Sequence, residues 1–168
     1  MENSRVRVYG DAVLRKKAEP VEKIDSSIRE LVERMFVALE EEGGIGLAAP
    51  QIGVSKRVII VSVPEDSGRT EIALVNPVIT SAEGTQEFEE GCLSVPGIFE
   101  MVQRKAKITI EGLELSGKTY KAEYEGFPAT VFQHEIDHLD GVLFVDRLPR
   151  MKRRLLEKEL AEISREAL

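Results

Sequence analysis

Both histidines of this 168-residue chain stand in one pentapeptide, His134-Glu135-Ile136-Asp137-His138. That pattern asks for a helix with one polar face turned inward. Residues i and i+4 lie one above the other on an α-helix, so the two imidazoles can converge on a single point. Glu135, beside the first imidazole, can reach the same space. Two nitrogen ligands and one carboxylate base is the logic of H-E-x-x-H sites in metal-dependent hydrolases. Phe132, Ile136 and Leu139 fall on the other side, which buries the helix and leaves the ligand face toward a cleft. The plainer alternative is one buried and one surface histidine that happen to be four apart.

Ligand arithmetic separates two kinds of metal site. A closed structural site needs four protein ligands, whereas a catalytic one needs three and an open position for water. The chain holds one cysteine and two histidines. An all-Cys/His closed site is therefore out of reach, and Cys92 is the obvious third ligand of an open one. A lone cysteine is otherwise a small apolar packing residue. Two rivals stay in view. A zinc endopeptidase would take Glu157 or Glu159 as third ligand. A small metal-binding adaptor would need a fourth ligand and has no use for Glu135.

The single cysteine also excludes an internal disulfide and suits a reducing compartment. A net charge of −7 argues against nucleic acid as the primary ligand. With 42% hydrophobic and 32% charged residues the chain reads as globular, one domain over residues 1–168. It has no apolar run near the ~18 residues of a membrane span, and Met1–Gly10 carries no apolar signal core. The expectation is a cytoplasmic protein.

Periodicity predicts the elements. Apolar residues from Ile28 to Leu39 recur at helical spacing within a helix from about Ser27 to Glu42. A Ser27/Glu30 capping box should open it and Gly43-Gly44 should close it. Strands are expected at Arg57–Val63, at Ile72–Ile79 bent around Pro77, and at Lys105–Leu113 and Thr119–Tyr124 as a hairpin across Ser116-Gly117. A second helix should run from Pro128 to Gly141, followed by the apolar run Val142–Val145. A third should fill about 149–167, with Met151, Leu155, Leu156, Leu160 and Ile163 inward. The sum is an α+β fold: mixed or antiparallel sheets around a buried metal-binding helix, with N-terminal and C-terminal helices.

Three segments together resemble the peptide deformylase family: Gly44-Ile45-Gly46-Leu47-Ala48-Ala49-Pro50-Gln51, Glu90-Gly91-Cys92-Leu93-Ser94 and His134-Glu135-Ile136-Asp137-His138. The first also spells G-x-G-x-x-A, but a helix precedes it and Pro50 and Gly53 follow, which argues against a dinucleotide loop. The resemblance implies a hydrolase that removes the formyl group from the N-terminal formyl-methionine of nascent proteins. By the same resemblance Cys92, His134 and His138 bind the metal, and Glu135 is the general acid/base. Gln51 and the Leu93 backbone N–H stabilise the oxyanion, and Ile45 and Gly46 pair with the substrate backbone. Val131 and Phe127, on the helical face of His134, join Ile45 as candidates for the methionine slot.

The resemblance implies Fe(II) as the cellular ion, while zinc, nickel or cobalt also suit one thiolate and two imidazoles. It implies a bacterial cytoplasmic setting and formyl-methionyl peptides as partners. Glu90, Arg104 and Asp137 are expected to form a network behind the ligands, with a solvated surface pair as the alternative for Arg104. Gly97-Ile98-Phe99 varies in the family, so substrate contacts are not carried over to it. Arg147, Arg150, Lys152, Arg153 and Arg154 form a basic cluster. Some deformylases dock near the ribosomal exit tunnel through a C-terminal helix, and a solvated helix face is the alternative here.

Overall fold

Val58-Ile59-Ile60-Val61 is apolar at every position, which suits a strand covered on both faces rather than one. The computed structural model, which describes residues 5–65 and 68–166, shows why. These residues lie in β2 (Val58–Glu65), between β1 (Gly46–Ala48) and β3 (Gly68–Glu83), in a five-stranded sheet completed by β6 (Lys107–Leu113) and β7 (Thr119–Glu125). Its order is β1-β2-β3-β6-β7, and every neighbouring pair is antiparallel. Val58 and Ile60 pack with the buried stripe of α1 (Ser26–Glu42) on one face. Ile59 and Val61 pack with Phe132, Ile136 and Leu139 of α2 (Phe127–Leu139) on the other. A second sheet, the hairpin β4 (Gln86–Cys92) and β5 (Val95–Arg104), stands beside them. The architecture is α+β with antiparallel sheets, as the sequence predicts.

Local devices set the boundaries. α1 starts one residue earlier than expected, and its cap is Asp25, not Ser27. The Asp25 carboxylate accepts from the backbone N–H of Ser27 at 3.0 Å and of Ile28 at 3.3 Å. Gly43 ends the helix with φ +73°, a conformation a Cβ would penalise. The bend in β3 comes from Asn76, in the left-handed region at φ 51°, just before Pro77. The Asn76 amide is held there by both backbone groups of Val21, each at 2.9 Å.

The C-terminal prediction needs correction. The single helix over 149–167 is two, α3 (Arg150–Leu155) and α4 (Glu157–Glu166), broken at Leu156; Ala167 lies outside the described residues. Leu156, Leu160 and the partly buried Ile163 point inward, joining Val95, Ile98, Val102 and Phe144 in a third apolar cluster. Met151 and Leu155 do not: they are 72% and 75% exposed. Helical spacing explains the split: at about 100° per residue Met151 and Leu155 share one side, while Leu156, Leu160 and Ile163 share another, with Met151 and Leu160 diametrically opposed even on a straight helix. The Val142–Val145 run supplies a buried plug, with Phe144–Arg147 as a 3-10 turn. No helix among the described residues is long and apolar enough to cross a membrane.

Candidate metal centre

α2 is buried along nearly its whole length, from Ala129 to Leu139, so its polar residues need partners inside the protein. Pro128 fits the first turn, where its missing N–H costs nothing. Gln133 is tied to the Lys105 backbone through both amide atoms, at 3.0 and 2.9 Å. At the far end the Leu139 carbonyl accepts from the Arg57 guanidinium at 2.9 Å and from the Ala18 N–H at 2.8 Å. These ties fix the helix axially, and with it the two imidazoles.

Cys92 meets those imidazoles at the end of β4, where the register with β5 shifts between Glu90 and Cys92. The donor atoms of Cys92, His134 and His138 lie within 4.8 Å of one another. Cys92 Sγ is 3.4 Å from His138 Nε2. His134 donates from Nδ1 to Glu90 at 2.8 Å, so its Nε2 is the atom left to face the other two. Phe144 stacks behind the His134 ring, with centroids 6.0 Å apart. Glu157 and Glu159 are exposed on α4 and take no part in the cluster.

Glu90 and Arg104 form a buried pair, not a solvated one. The guanidinium donates to both Glu90 oxygens at 2.9 Å and to Asp137 at 2.5 Å. Asp137 in turn accepts two bonds from Arg147, at 3.1 and 2.8 Å. Burial alone would raise the Glu90 pKa, but hydrogen bonds from His134 and Arg104 hold it below the usual carboxylate range. Burial likewise works against charge on His134, yet contacts with Cys92, Glu135 and Glu90 raise its pKa well above the ordinary value. His138 is pushed well below the ordinary value by burial and by the charge on His134. Burial raises Glu135 to about 7.

These residues suit a divalent ion. One thiol and two imidazoles form a borderline-soft donor set. Glu135 Oε1, beside these donors, is buried without a hydrogen-bond partner among the described residues, a sign of a site built for a polar guest.

Gln51 sits opposite, on a 3-10 turn (Ala49–Ile52) after β1. Its carbonyl accepts from the Ala48 N–H at 2.9 Å, which aims the amide nitrogen at Ser94 Oγ (3.0 Å) and Cys92 Sγ (3.6 Å). Gly46 passes so close to Glu135 that a Cβ there would lie 2.5 Å from its carboxylate. A cleft of about 370 Å³ opens beside these groups, and Ile45, Gly46, Gln51, Leu93, Val131 and Phe127 all line it with Cys92, His134 and Glu135. His138 lies behind, buried and off the cleft wall.

The cleft also contains residues that sequence reasoning passed over. Thr130 lines it and accepts from Gln86 at 2.8 Å. It stands four before His134, so the same helical spacing could have found it. Gly97 and Phe99, to which the resemblance carried no substrate contact, line it too. The Phe99 ring lies over Gly91, where a Cβ would come within 2.5 Å of it. No sequence signal links those two positions, which stand next to the Glu90–Glu100 pair, just before the register shifts.

Comparison with known proteins follows the same lines. A family model described as polypeptide deformylase matches residues 4–154. A peptide deformylase of Thermotoga neapolitana is 44% identical over 164 residues, covering 97% of this chain and 98% of its own. The crystal structure of peptide deformylase from Thermus thermophilus superposes with a TM-score of 0.89 at 46% identity, covering 97% of this chain and 98% of that one. A Met-Ala-Ser-bound peptide deformylase structure from Acinetobacter baumannii gives 0.80 at 37% identity, over 85% and 96%.

Proposed function

The chain belongs to the peptide deformylase family, and from that premise we propose that it hydrolyses the formyl–nitrogen bond of N-formyl-methionyl peptides through a centre held by Cys92, His134 and His138. The observation that carries the reading is the meeting of those three donors beside a buried Glu135 at the wall of an apolar cleft. The family implies a divalent ion, and Fe(II) is our assignment for the cell. When bound, such an ion supplies Lewis acidity that makes water a nucleophile near neutral pH.

The chain's own residues do the rest. Glu135, with a pKa raised to about 7, accepts a proton from the attacking water and later gives it to the departing amine. The water oxygen bonds to the formyl carbon, the C–N bond breaks, and formate and a free methionyl amine leave. The amide of Gln51 and the N–H of Leu93 face the oxyanion that forms on attack. Phe127, Val131 and Ile45 provide the apolar slot for methionine. The substrate backbone adds along β1, the terminal strand of its sheet. Ser62 N–H donates to the Ile45 carbonyl at 2.7 Å, so alternation turns the main-chain groups of Gly46 toward the free edge. That the Acinetobacter baumannii relative has a Met-Ala-Ser-bound structure supports a peptide substrate here. The setting we propose is the bacterial cytoplasm, where formylated chains are made.

Glu135→Gln should keep stoichiometric metal and lose about 10²–10⁴-fold in formate release; full activity in that variant would sink the mechanism. Cys92→Ala should abolish metal retention. Cleavage of casein with no action on formyl-Met peptides would favour the endopeptidase rival instead.

The ribosome-docking reading narrows to fewer residues. Arg147, Lys152 and Arg153 pair internally with Asp137, Glu100 and Asp146. Arg150 and Arg154 remain beside the exposed Met151 and Leu155 as the candidate contact face. Ribosome co-sedimentation unchanged in Arg150→Glu/Arg154→Glu would dispose of it.

A further inference from the structure

Arg147 belongs to none of the three motifs that point to the metal centre, yet it closes the chain of charges behind it. Its Nε and Nη2 grip Asp137 side-on, at 3.1 and 2.8 Å. The same Asp137 oxygen that takes Arg147 Nε also takes Arg104 Nη1. Arg104 gives its remaining edge, Nε and Nη2, to Glu90 at 2.9 Å each. Glu90 then orients His134 through Nδ1 at 2.8 Å. Two guanidinium groups and two carboxylates alternate, and their formal charges cancel.

We propose that Arg147 is a positioning residue for the metal centre, acting through Asp137 and Arg104 on Glu90 and so on the ring of His134. The inference rests on the metal-binding reading above. Its physical basis is competition for donors. With Arg147 gone, Arg104 is the one cation that the described residues leave on Asp137. Asp137 is then free to turn and take a second N–H from Arg104, and the nearest one, Nη2, now serves the Glu90 oxygen that holds His134. The imidazole loses the fixed acceptor that sets its tilt. Outer partners of this kind tune metal affinity strongly in other sites. The 3-10 turn that carries Arg147 also carries Phe144, which stacks on the same ring. A bland alternative is that Arg147 only pins that turn to α2; its side chain is half-exposed, and a lone pair of that kind contributes little.

Cobalt(II)-loaded protein separates these. Arg147→Ala should shift the visible ligand-field and thiolate charge-transfer bands and speed cobalt loss to excess chelator several-fold, while the metal-free melting temperature barely moves. Arg147→Lys should behave like Arg147→Ala, since a lysine keeps the charge but lacks the fork. Arg15→Ala is the control: Arg15 pairs with Asp146 on the same turn without touching Asp137. Equal cobalt loss in Arg15→Ala, or wild-type behaviour in Arg147→Lys, would overturn the inference. So would Arg147→Ala spectra and release rates matching wild type. Wild-type protein that takes up no cobalt would overturn the metal-binding reading itself.

Discussion

At the scale of single residues, the site depends on close approaches as much as on ligands. Gly46 is the sharpest case, because its backbone lies against the Glu135 carboxylate. Gly46→Ala would displace a flexible carboxylate and no backbone, so folding should survive. We expect at least a roughly tenfold loss in kcat with metal content and melting temperature nearly unchanged; undiminished turnover would show that the Glu135 position does not matter. How much of this was legible depended on whether the chemistry is local. The histidine pair and Glu135 follow from helical spacing, and Cys92 from a count of soft donors. The pairing of Glu90 with Arg104 was legible as a pattern, but its burial was not, because burial is a property of what α2 and the hairpin enclose. Phe99 was passed over for a related reason: its contact with Gly91 comes from the pairing of β4 with β5, two strands the periodicity does not announce. Arg147 read as one member of a basic run, since nothing in the chain order reveals that Asp137 faces it.

Among the elements, the amphipathic ones were the easiest to foresee. α1 and the β6–β7 hairpin carry a clean period of 3.6 or 2, and α2, buried all round, is marked instead by its histidine spacing and by Pro128 and Gly141; each lies within two residues or so of its expected bounds. β1 is three residues long and sets up no period at all. β4 carries three glutamates in seven residues, and the inward residues of β5, Val95, Ile98 and Val102, are spaced more like a helix than a strand because of the register shift. The broken C-terminal helix gives a direct test of which leucines matter. Leu160→Ala should cost roughly 2–5 kcal/mol by opening a cavity in a packed cluster, whereas Leu155→Ala should stay within about 0.5 kcal/mol. Denaturant melts that reverse this order would contradict the placement. The α1 cap predicts a pH dependence. Hydrogen bonds from Ser27 and from the Ile28 N–H lower the Asp25 pKa below its ordinary value. The cap's contribution is therefore present above that ordinary value and disappears as the pH falls through the lowered one. Asp25→Ala should melt earlier than wild type at neutral pH, with the gap closing in acid. A gap independent of pH would show that charge on Asp25 plays no part.

For the molecule as a whole, the cluster of Cys92, His134 and His138 is a junction. Cys92 arrives on the two-stranded sheet, and the histidines arrive on a helix packed against the five-stranded one. An ion held by all three would tie the two sheets together. Metal removal should therefore speed backbone hydrogen exchange around the β4–β5 turn and α2 more than in α1 or β3. Re-addition at about 100 times the dissociation constant should recover about 2.7 kcal/mol of stability. Uniform loosening of every element would argue that the ion braces no particular seam. The terminal place of β1 in its sheet has a different consequence. A bare strand edge can be joined only by another stretch of polypeptide whose own amide and carbonyl groups are still unengaged. A client whose first residues have already coiled or paired offers none. An enzyme that took its substrate along such an edge would, beyond the leading methionine, choose its clients by moment rather than by sequence: it could serve a newborn chain of nearly any composition, but only before that chain's beginning had taken shape.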